Sequence, residues 1–361
     1  MIKSSVATIS VLVVQAKNTK NVVIQNSVKN MNKKIWQEIK KAKNILLTLH
    51  PSPDGDSIGA NLALFHALTK MGKKVTLLGG DSEFPKNFST LPGVDKILPK
   101  NFFQINQDDY DLFIIADIAS PKLISRQGEI VFSKNLKTII IDHHKSNPKF
   151  ADINLVDAKT PAACQLIYNL LQDNHVKITK EIASCLFVGI YTDTGGFKYV
   201  NTTYKTFLAV ANLSKINPNF DKFIFEIENN DHPDRLKFLS LILGSVKTYL
   251  SGKVAIASLD FETIKESGIS NSVINGSEVS NVVKSVTGWD IGISMIEYQP
   301  NSVKISFRTR DASKYDLSKI STAVGGGGHI AAAGATINGS LAEATEILLK
   351  NLKLVYPDLE K

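Results

Sequence analysis

From about residue 31 the chain alternates apolar runs of strand length with stretches of helical spacing. NILLTLH (44–50) is a continuous apolar run that predicts a strand. SIGANLALFHALTKMG (57–72) has apolar residues at three- and four-residue intervals, a Ser near its start and Gly72 at its end, which predicts the helix that follows. KKVTLLGG (73–80), YDLFIIADIAS (110–120) and LKTIIIDHH (136–144) read as further strands. Strands apolar on both faces and separated by helical segments predict an α/β fold, with a mostly parallel sheet carrying helices on both faces. Between 160 and 214 three consecutive helices are expected: TPAACQLIYNLLQDN, TKEIASCLFVGIYTDTG and TYKTFLAVANLSKI.

The polar stretch ENNDHPDR (228–235) interrupts this pattern, and LKFLSLILGSVKTYL (236–250) then reads as one long amphipathic helix. Strand patterns near 253–259, 290–298 and 302–309 and helical ones near 277–286, 316–323 and 340–354 predict a second, smaller α/β domain. The expected organisation is an extension over 1–30, a first domain over 31–228, a linker and connecting helix over 229–250, and a second domain over 251–361. Whether residues 1–30 belong to the native chain is left open, with Met31 as an alternative start.

Charge changes the picture once it is located. The chain of 361 residues carries a formal net charge of +8, but residues 1–43 hold nine Lys and one Glu, and the remaining 33 basic and 33 acidic residues cancel. A neutral body gives no track for a long nucleic acid, so any polyanion must be held by a local pocket. Cys164 and Cys185 lie in apolar helical patterns without metal-ligand spacing, which predicts reduced core thiols and a cytoplasmic protein. No apolar run approaches the roughly 20 residues that span a bilayer, and no membrane association is expected.

The candidate chemistry sits where strands end. HPSPDGDSIG supplies His50, Asp54 and Asp56; IIADIAS supplies Asp117; IIIDHH supplies Asp142, His143 and His144; YTDTGGF adds Asp193 at the end of an apolar helix. In an open parallel sheet, loops leaving the carboxyl ends of the strands converge on one crevice. Imidazoles and carboxylates without thiolates suit divalent ions that accept nitrogen and oxygen, such as Mn²⁺. Four carboxylates balance two such ions, and without them would repel one another. Two ions about 3.5–4 Å apart are standard apparatus for phosphate-ester hydrolysis. Taken singly, Asp117 reads as a turn or cap and PDGD as a turn, but one bimetal site accounts for all four stretches. His66, His175 and His232 have no such company and read as surface or satisfied histidines.

These stretches, in this order, resemble the four motifs of the DHH phosphoesterases, and GGGGHIAAAGA (325–335), preceded by ISFRTR (305–310), resembles the DHH-associated C-terminal domain. The resemblance covers about residues 31–355. It implies a two-domain protein with its active site in the cleft between the domains. One metal is then held by His50 and Asp54 and the other by Asp56 and His143; Asp117 bridges them and Asp193 completes the second site. Asp142 is expected to orient the neighbouring His143, the usual second partner of a metal-bound imidazole, and His144 to face the scissile phosphate or leaving group. Ala60 stands where the family often has Ser.

Four consecutive glycines in isolation suggest a flexible linker. Following a helix and preceding His329, however, Gly326, Gly327 and Gly328 read as backbone that approaches a ligand closely, with exposed N–H groups for a phosphate or sugar edge. Arg308 is the candidate phosphate clamp, although a surface strand arginine is an equally ordinary role. The chain resembles the stand-alone oligoribonuclease and pAp phosphatase type. The implied activity is release of nucleoside monophosphates from very short single-stranded oligoribonucleotides, with pAp to AMP and phosphate as a further reaction. A soluble phosphodiesterase for cyclic di-AMP or pApA, and a non-catalytic nucleotide-binding regulator, are the competing expectations. A homodimer is left open.

Overall fold

The computed structural model describes residues 28–360, and the expected extension over 1–30 lies almost wholly outside them. A helix over 28–41 (α1) precedes β1 (Asn44–Thr48), α2 (Gly55–Lys70), β2 (Lys74–Leu78), β3 (Ile97–Leu98), β4 (Leu112–Ala116), β5 (Lys137–Asp142) and β6 (Ile153–Val156). Then come α3 (Ala163–Asp173), α4 (Lys180–Asp193), α5 (Tyr204–Ile216) and α6 (Asp221–Glu228). The six strands form one parallel sheet in the order β3-β2-β1-β4-β5-β6. β3, β6 and α6 are additions to the expected elements; β3 has only two residues, too few for a pattern.

Burial on both faces explains the apolar runs. Ile45, Leu47, Ile114, Ile139 and Ile141 pack with the apolar sides of α1 to α4, whereas Leu46, Phe113, Ile115 and Ile140 point the other way into a second cluster. That second face is covered by 3₁₀ turns and loops carrying Phe102, Ile124 and Phe132, where α-helices were expected. A run apolar on both sides requires a cover but does not specify its form.

α2 lies against α4 at very short range. A Cβ added to Gly59 would come 2.3 Å from the Cys185 carbonyl oxygen, and one added to Gly189 would come 2.7 Å from Asp56 Oδ1. Both glycines therefore serve to bring two backbones together.

The second compact unit begins at Asp231. It contains α7 (Pro233–Gly244), β7 (Lys247–Tyr249), β8 (Val254–Leu259), α8 (Phe261–Ser267), α9 (Gly276–Lys284), β9 (Ile291–Gln299), β10 (Ser302–Thr309), α10 (Leu317–Ala323), β11 (Gly327–His329), β12 (Ala332–Asn338) and α11 (Leu341–Val355). Its sheet runs β11-β12-β10-β9-β8-β7, antiparallel except for the β8–β9 pair. Residues 229–250, read as linker and connecting helix, contribute Phe238 and Ile242 to this unit's own core.

The helix expected over 236–250 stops at Gly244, and 247–249 form β7 instead. Ser245 caps the helix, and its hydroxyl accepts the Ser258 N–H at 2.8 Å, tying the turn to β8. The glycine run is no linker: Gly327 and Gly328 pair with Gly334 and Ala333 as an edge hairpin.

Gly59→Ala is expected to destabilise the chain by roughly 1–3 kcal/mol, the usual cost of overpacking a tight interface. Gly244→Ala, where a Cβ meets nothing within 4 Å, should be neutral or stabilising by up to about 1 kcal/mol. Urea melts of the two variants test the difference.

Candidate metal centre and active site

The strand order reverses direction between β1 and β4, which places the topological switch point of the sheet at their carboxyl ends. The loop after β1 carries His50 and Asp54. Asp54 caps α2, its Oδ1 accepting the N–H groups of Asp56 and Ser57 at 3.0 Å each. Asp56, in the first turn of α2, is fully buried. Its two oxygens accept the Ala163 and Cys164 N–H groups at 2.5 and 2.8 Å, so the N-terminus of α3 holds it. Asp117 follows β4 directly with φ of +57°, a left-handed conformation unusual outside glycine. Its N–H donates to Ile141 O at 3.0 Å, fixing the turn to β5.

Around Asp117 the predicted residues converge. His50 Nε2 lies 3.7 Å from Asp117 Oδ2 and 3.8 Å from Asp54 Oδ1. His143 Nε2 lies 3.4 Å from Asp117 Oδ1, 3.2 Å from Asp193 Oδ2 and 3.8 Å from Asp56 Oδ2. Three groups with metal-ligand composition result among the described residues: the triads His50–Asp54–Asp117 and Asp56–His143–Asp193, and the group Asp117–Asp142–His143–His144. The two oxygens of Asp117 face different triads. Asp117 Oδ1 is buried and accepts no hydrogen bond, an expensive state for a carboxylate oxygen unless a cation satisfies it.

Protonation behaviour points the same way. Burial opposes charge on His50, yet the Asp117 and Asp54 carboxylates outweigh it and push its pKa up to about 10. Burial is likewise overcome at His143 by Asp117 and Asp193, and its pKa rises to about 11. Burial, then the charges of Asp117 and Asp193, raise Asp56 well above the carboxylate range; burial also raises Asp193, against the pull of His143. The cluster favours added positive charge, and its nitrogen and oxygen donors fit a divalent cation.

Asp142 behaves differently from expectation. Its Oδ1 bonds the ring Nδ1 of His144 at 2.8 Å and, from the backbone, the N–H of His143 at 2.8 Å, so the ring it orients is that of His144. The Asp142 carboxylate thus takes the ring of the second histidine and only the backbone N–H of the first as hydrogen-bond partners. Asn147, which no motif flagged, donates to Asp142 Oδ2 at 2.6 Å and to Ile118 O at 3.0 Å. The only sequence signal for it was its position in the same loop. The α3 N-terminus was equally silent, because backbone N–H groups leave no mark in TPAAC.

His66 bonds Pro92 O at 2.8 Å, and His232 caps α7. His175 is exposed. Cys164 and Cys185 are buried free thiols.

In the second unit, Arg308 and Gly326, Gly327 and Gly328 line one cavity of about 570 Å³, together with Lys304 and Ser306. His329 ends β11 and is exposed; it is not part of that lining. No helix among the described residues is long and apolar enough to cross a membrane.

With this geometry in view, two family models match: the DHH family N-terminal domain over residues 44–190 and the DHHA1 domain over 251–355. The chain belongs to the DHH family of phosphoesterases. It is 27% identical over 314 residues to a bifunctional oligoribonuclease and PAP phosphatase NrnA of Thermus thermophilus, covering 86% of this chain and 89% of the relative. It is 25% identical to the cyclic-di-AMP phosphodiesterase GdpP of Bacillus subtilis, over 86% of this chain and 47% of that one. An exopolyphosphatase-related protein of Bacteroides fragilis shares the fold, with a TM-score of 0.78 at 24% identity over 92% of this chain and 98% of the other.

Metal binding requires neutral imidazoles. Adding Mn²⁺ to the metal-free DHH chain at pH 7.5 should therefore release protons, measured by calorimetry in buffers of different ionisation enthalpy. The sign also sets stability. His50 and His143 are raised from 6.5 to about 10 and 11, so their contribution to the metal-free fold is complete below pH 6.5. It declines as pH rises and is gone above about 11. The metal-free melting temperature should fall between pH 7 and 10, and a flat profile would contradict the assignment.

Proposed function

We propose that this DHH chain is a bimetal phosphoesterase that hydrolyses very short single-stranded oligoribonucleotides to nucleoside monophosphates, and pAp to AMP and phosphate. The observation that carries the reading is Asp117: a buried carboxylate at positive φ, its two oxygens turned to separate triads, one of them without a hydrogen bond. Backbone strain of this kind persists where surrounding structure enforces it, commonly at functional sites. The names of the relatives support the substrate class, since several similar along most of their length are bifunctional oligoribonucleases and PAP phosphatases.

His50, Asp54 and Asp117 would hold one divalent ion, and Asp56, His143 and Asp193 the other, with Asp117 shared and Mn²⁺ the favoured metal. When bound, such ions polarise a phosphoryl oxygen and acidify water. The chain's own groups do the rest. The α3 N-terminus and Gly189 fix Asp56 in place. Asp142, held by Asn147, accepts the Nδ1 proton of His144, which leaves Nε2 as the nitrogen available to protonate the leaving-group oxygen. The hydrogen bond to Asp142 raises the His144 pKa, keeping the ring in its acid form over a wider pH range. On the second unit, Arg308 and the Gly326–Gly328 backbone would receive a phosphate of the substrate, and His329 the outer edge of the nucleotide.

A panel with Mn²⁺ tests the reading: di- to pentaribonucleotides, pAp, pApA, cyclic di-AMP, pyrophosphate and long single-stranded DNA. Turnover of the short RNAs and pAp is expected; preference for pyrophosphate or long DNA overturns it, and preference for cyclic di-AMP or pApA transfers it to the cyclic dinucleotide phosphodiesterases.

Asp193→Ala should abolish turnover with little change in melting temperature, because the side chain is only partly buried at the end of α4. His144→Ala should lower kcat by about 10²–10⁴ while Mn²⁺ affinity is retained. In Asp142→Asn the His144 pKa falls, so the basic limb of the kcat profile should move to lower pH. Metal loss in His144→Ala would instead make that residue a ligand.

A further inference from the structure

The two faces of α1 differ in kind. Asn32, Ile35, Trp36 and Ile39 are buried, and the three apolar ones join the core of the first unit. Lys29, Lys33, Lys34, Lys40 and Lys41 are exposed on the other side, and Lys43 follows the helix, also exposed. Positions 29, 33, 37 and 40 make one outward stripe of the helix and 34 and 41 the stripe beside it, so these ammonium groups share a single surface. The other exposed residues of α1 are Asn30 and Gln37, so the surface carries no apolar side chain.

Little in the fold neutralises this surface. Glu38 pairs with Lys41 at 2.8 Å, Asp173 accepts the Asn32 amide at 2.8 Å, and Asp111 takes the backbone N–H groups of Lys43 and Asn44 at 2.7 and 2.8 Å. Lys29, Lys33, Lys34 and Lys40 make no ion pair among the described residues. Lys29 and Lys33 stand four residues apart, where like charges repel, so the helix gains nothing from them. Residues 1–43 hold nine Lys against one Glu while the rest of the chain is balanced. Six of those nine lie on or beside this face, which concentrates most of the net charge in one place. It is also remote from the metal centre. Asp173, the partner of Asn32, is the last residue of α3, whose opposite end holds Asp56. Lys43 precedes the amino end of β1, whereas the metal-ligand candidates follow the carboxyl ends of strands about 17–20 Å long.

We propose that the outer face of α1 is a docking surface for the phosphate backbone of single-stranded RNA longer than the substrates, separate from the hydrolytic centre. Charge complementarity selects a polyanion, and the rest of the surface selects which one. A protein partner needs apolar or aromatic anchors, and the face has none. A bilayer needs the apolar side of an amphipathic helix, and that side of α1 is turned into the core. Lysines alone meet phosphates as point charges, and without an aromatic to stack on a base they bind any sequence, driven by counterion release. The choice of RNA among polyanions rests on the short-oligonucleotide reading: an enzyme that consumes the last fragments of a chain is then held beside chains still being shortened.

The test measures binding of a fluorescent long 2′-O-methyl oligouridylate, chosen to resist hydrolysis, to the full-length, metal-loaded chain. Four phosphate contacts on a single strand give a log–log salt slope of about −3, so wild-type binding should weaken by about 50-fold or more between roughly 50 and 200 mM salt. With Lys29→Gln, Lys33→Gln, Lys34→Gln and Lys40→Gln combined, the slope should become shallower by about 3 and the affinity at low salt should fall at least about tenfold. These side chains are exposed and unpaired, so the variant should melt with the wild type and hydrolyse a dinucleotide at the same rate. An unchanged slope in the variant overturns the surface, whether or not the chain turns over any substrate. Binding to phosphatidylglycerol vesicles without binding to the oligouridylate overturns RNA as the occupant. Absence of turnover on every short RNA, together with an oligouridylate affinity that the variant abolishes, would overturn the hydrolytic reading and leave the α1 surface standing.

Discussion

The structure of the first unit is organised around the cost of holding carboxylates together. Asp56, Asp117 and Asp193 meet at the end of the sheet, where burial and the neighbouring carboxylates oppose the ionisation of Asp56 and Asp193. Everything near them mitigates that cost. The α3 N-terminus gives two N–H groups to Asp56, the α2 N-terminus gives two to Asp54, and His50 and His143 are held protonated. Asp117 Oδ1 is left without a hydrogen bond. Together the carboxylates and imidazoles form a cluster that could hold metal ions.

Packing serves that arrangement. Gly59 and Gly189 allow α2 and α4 to approach until Asp56 and Asp193 share a space with His143. β1 and β4 are neighbours though far apart in sequence, and their loops carry His50 and Asp117 to the same switch point. The ligand candidates stand at the ends of buried elements: His50, Asp54, Asp117 and His143 in turns after strands, Asp56 in the first turn of α2 and Asp193 at the last residue of α4. In the second unit the same logic takes a gentler form: an antiparallel sheet, apolar on one face, presents small residues, Lys304 and Arg308 on the other.

Much of this was legible in the residues. Continuous apolar runs with Asp or His at their ends located β1, β4 and β5, and a parallel sheet obliges such ends to converge. The six metal-ligand candidates were visible as a set, because one bimetal site accounts for four stretches that would each be ordinary taken singly. The partner of Asp142 was misjudged. Sequence adjacency suggested His143, but the direction of the side chain at the end of β5 selects His144. The helix expected through 250 failed at Gly244, where Ser245 bonds across to β8, a contact that no local pattern encodes.

By itself the sequence determined the alternation of elements, the identity of the donor atoms and the family, because hydrophobic period and residue chemistry are local properties. Tertiary structure decided what depends on neighbours distant in the chain. It turned the two oxygens of Asp117 toward different triads, gave Asp56 the α3 N-terminus, and formed the glycine run into a hairpin edge. It also brought Ser306 beside Gly276. Backbone N–H groups and unsatisfied oxygens carry no residue signature, so only folding reveals where they point.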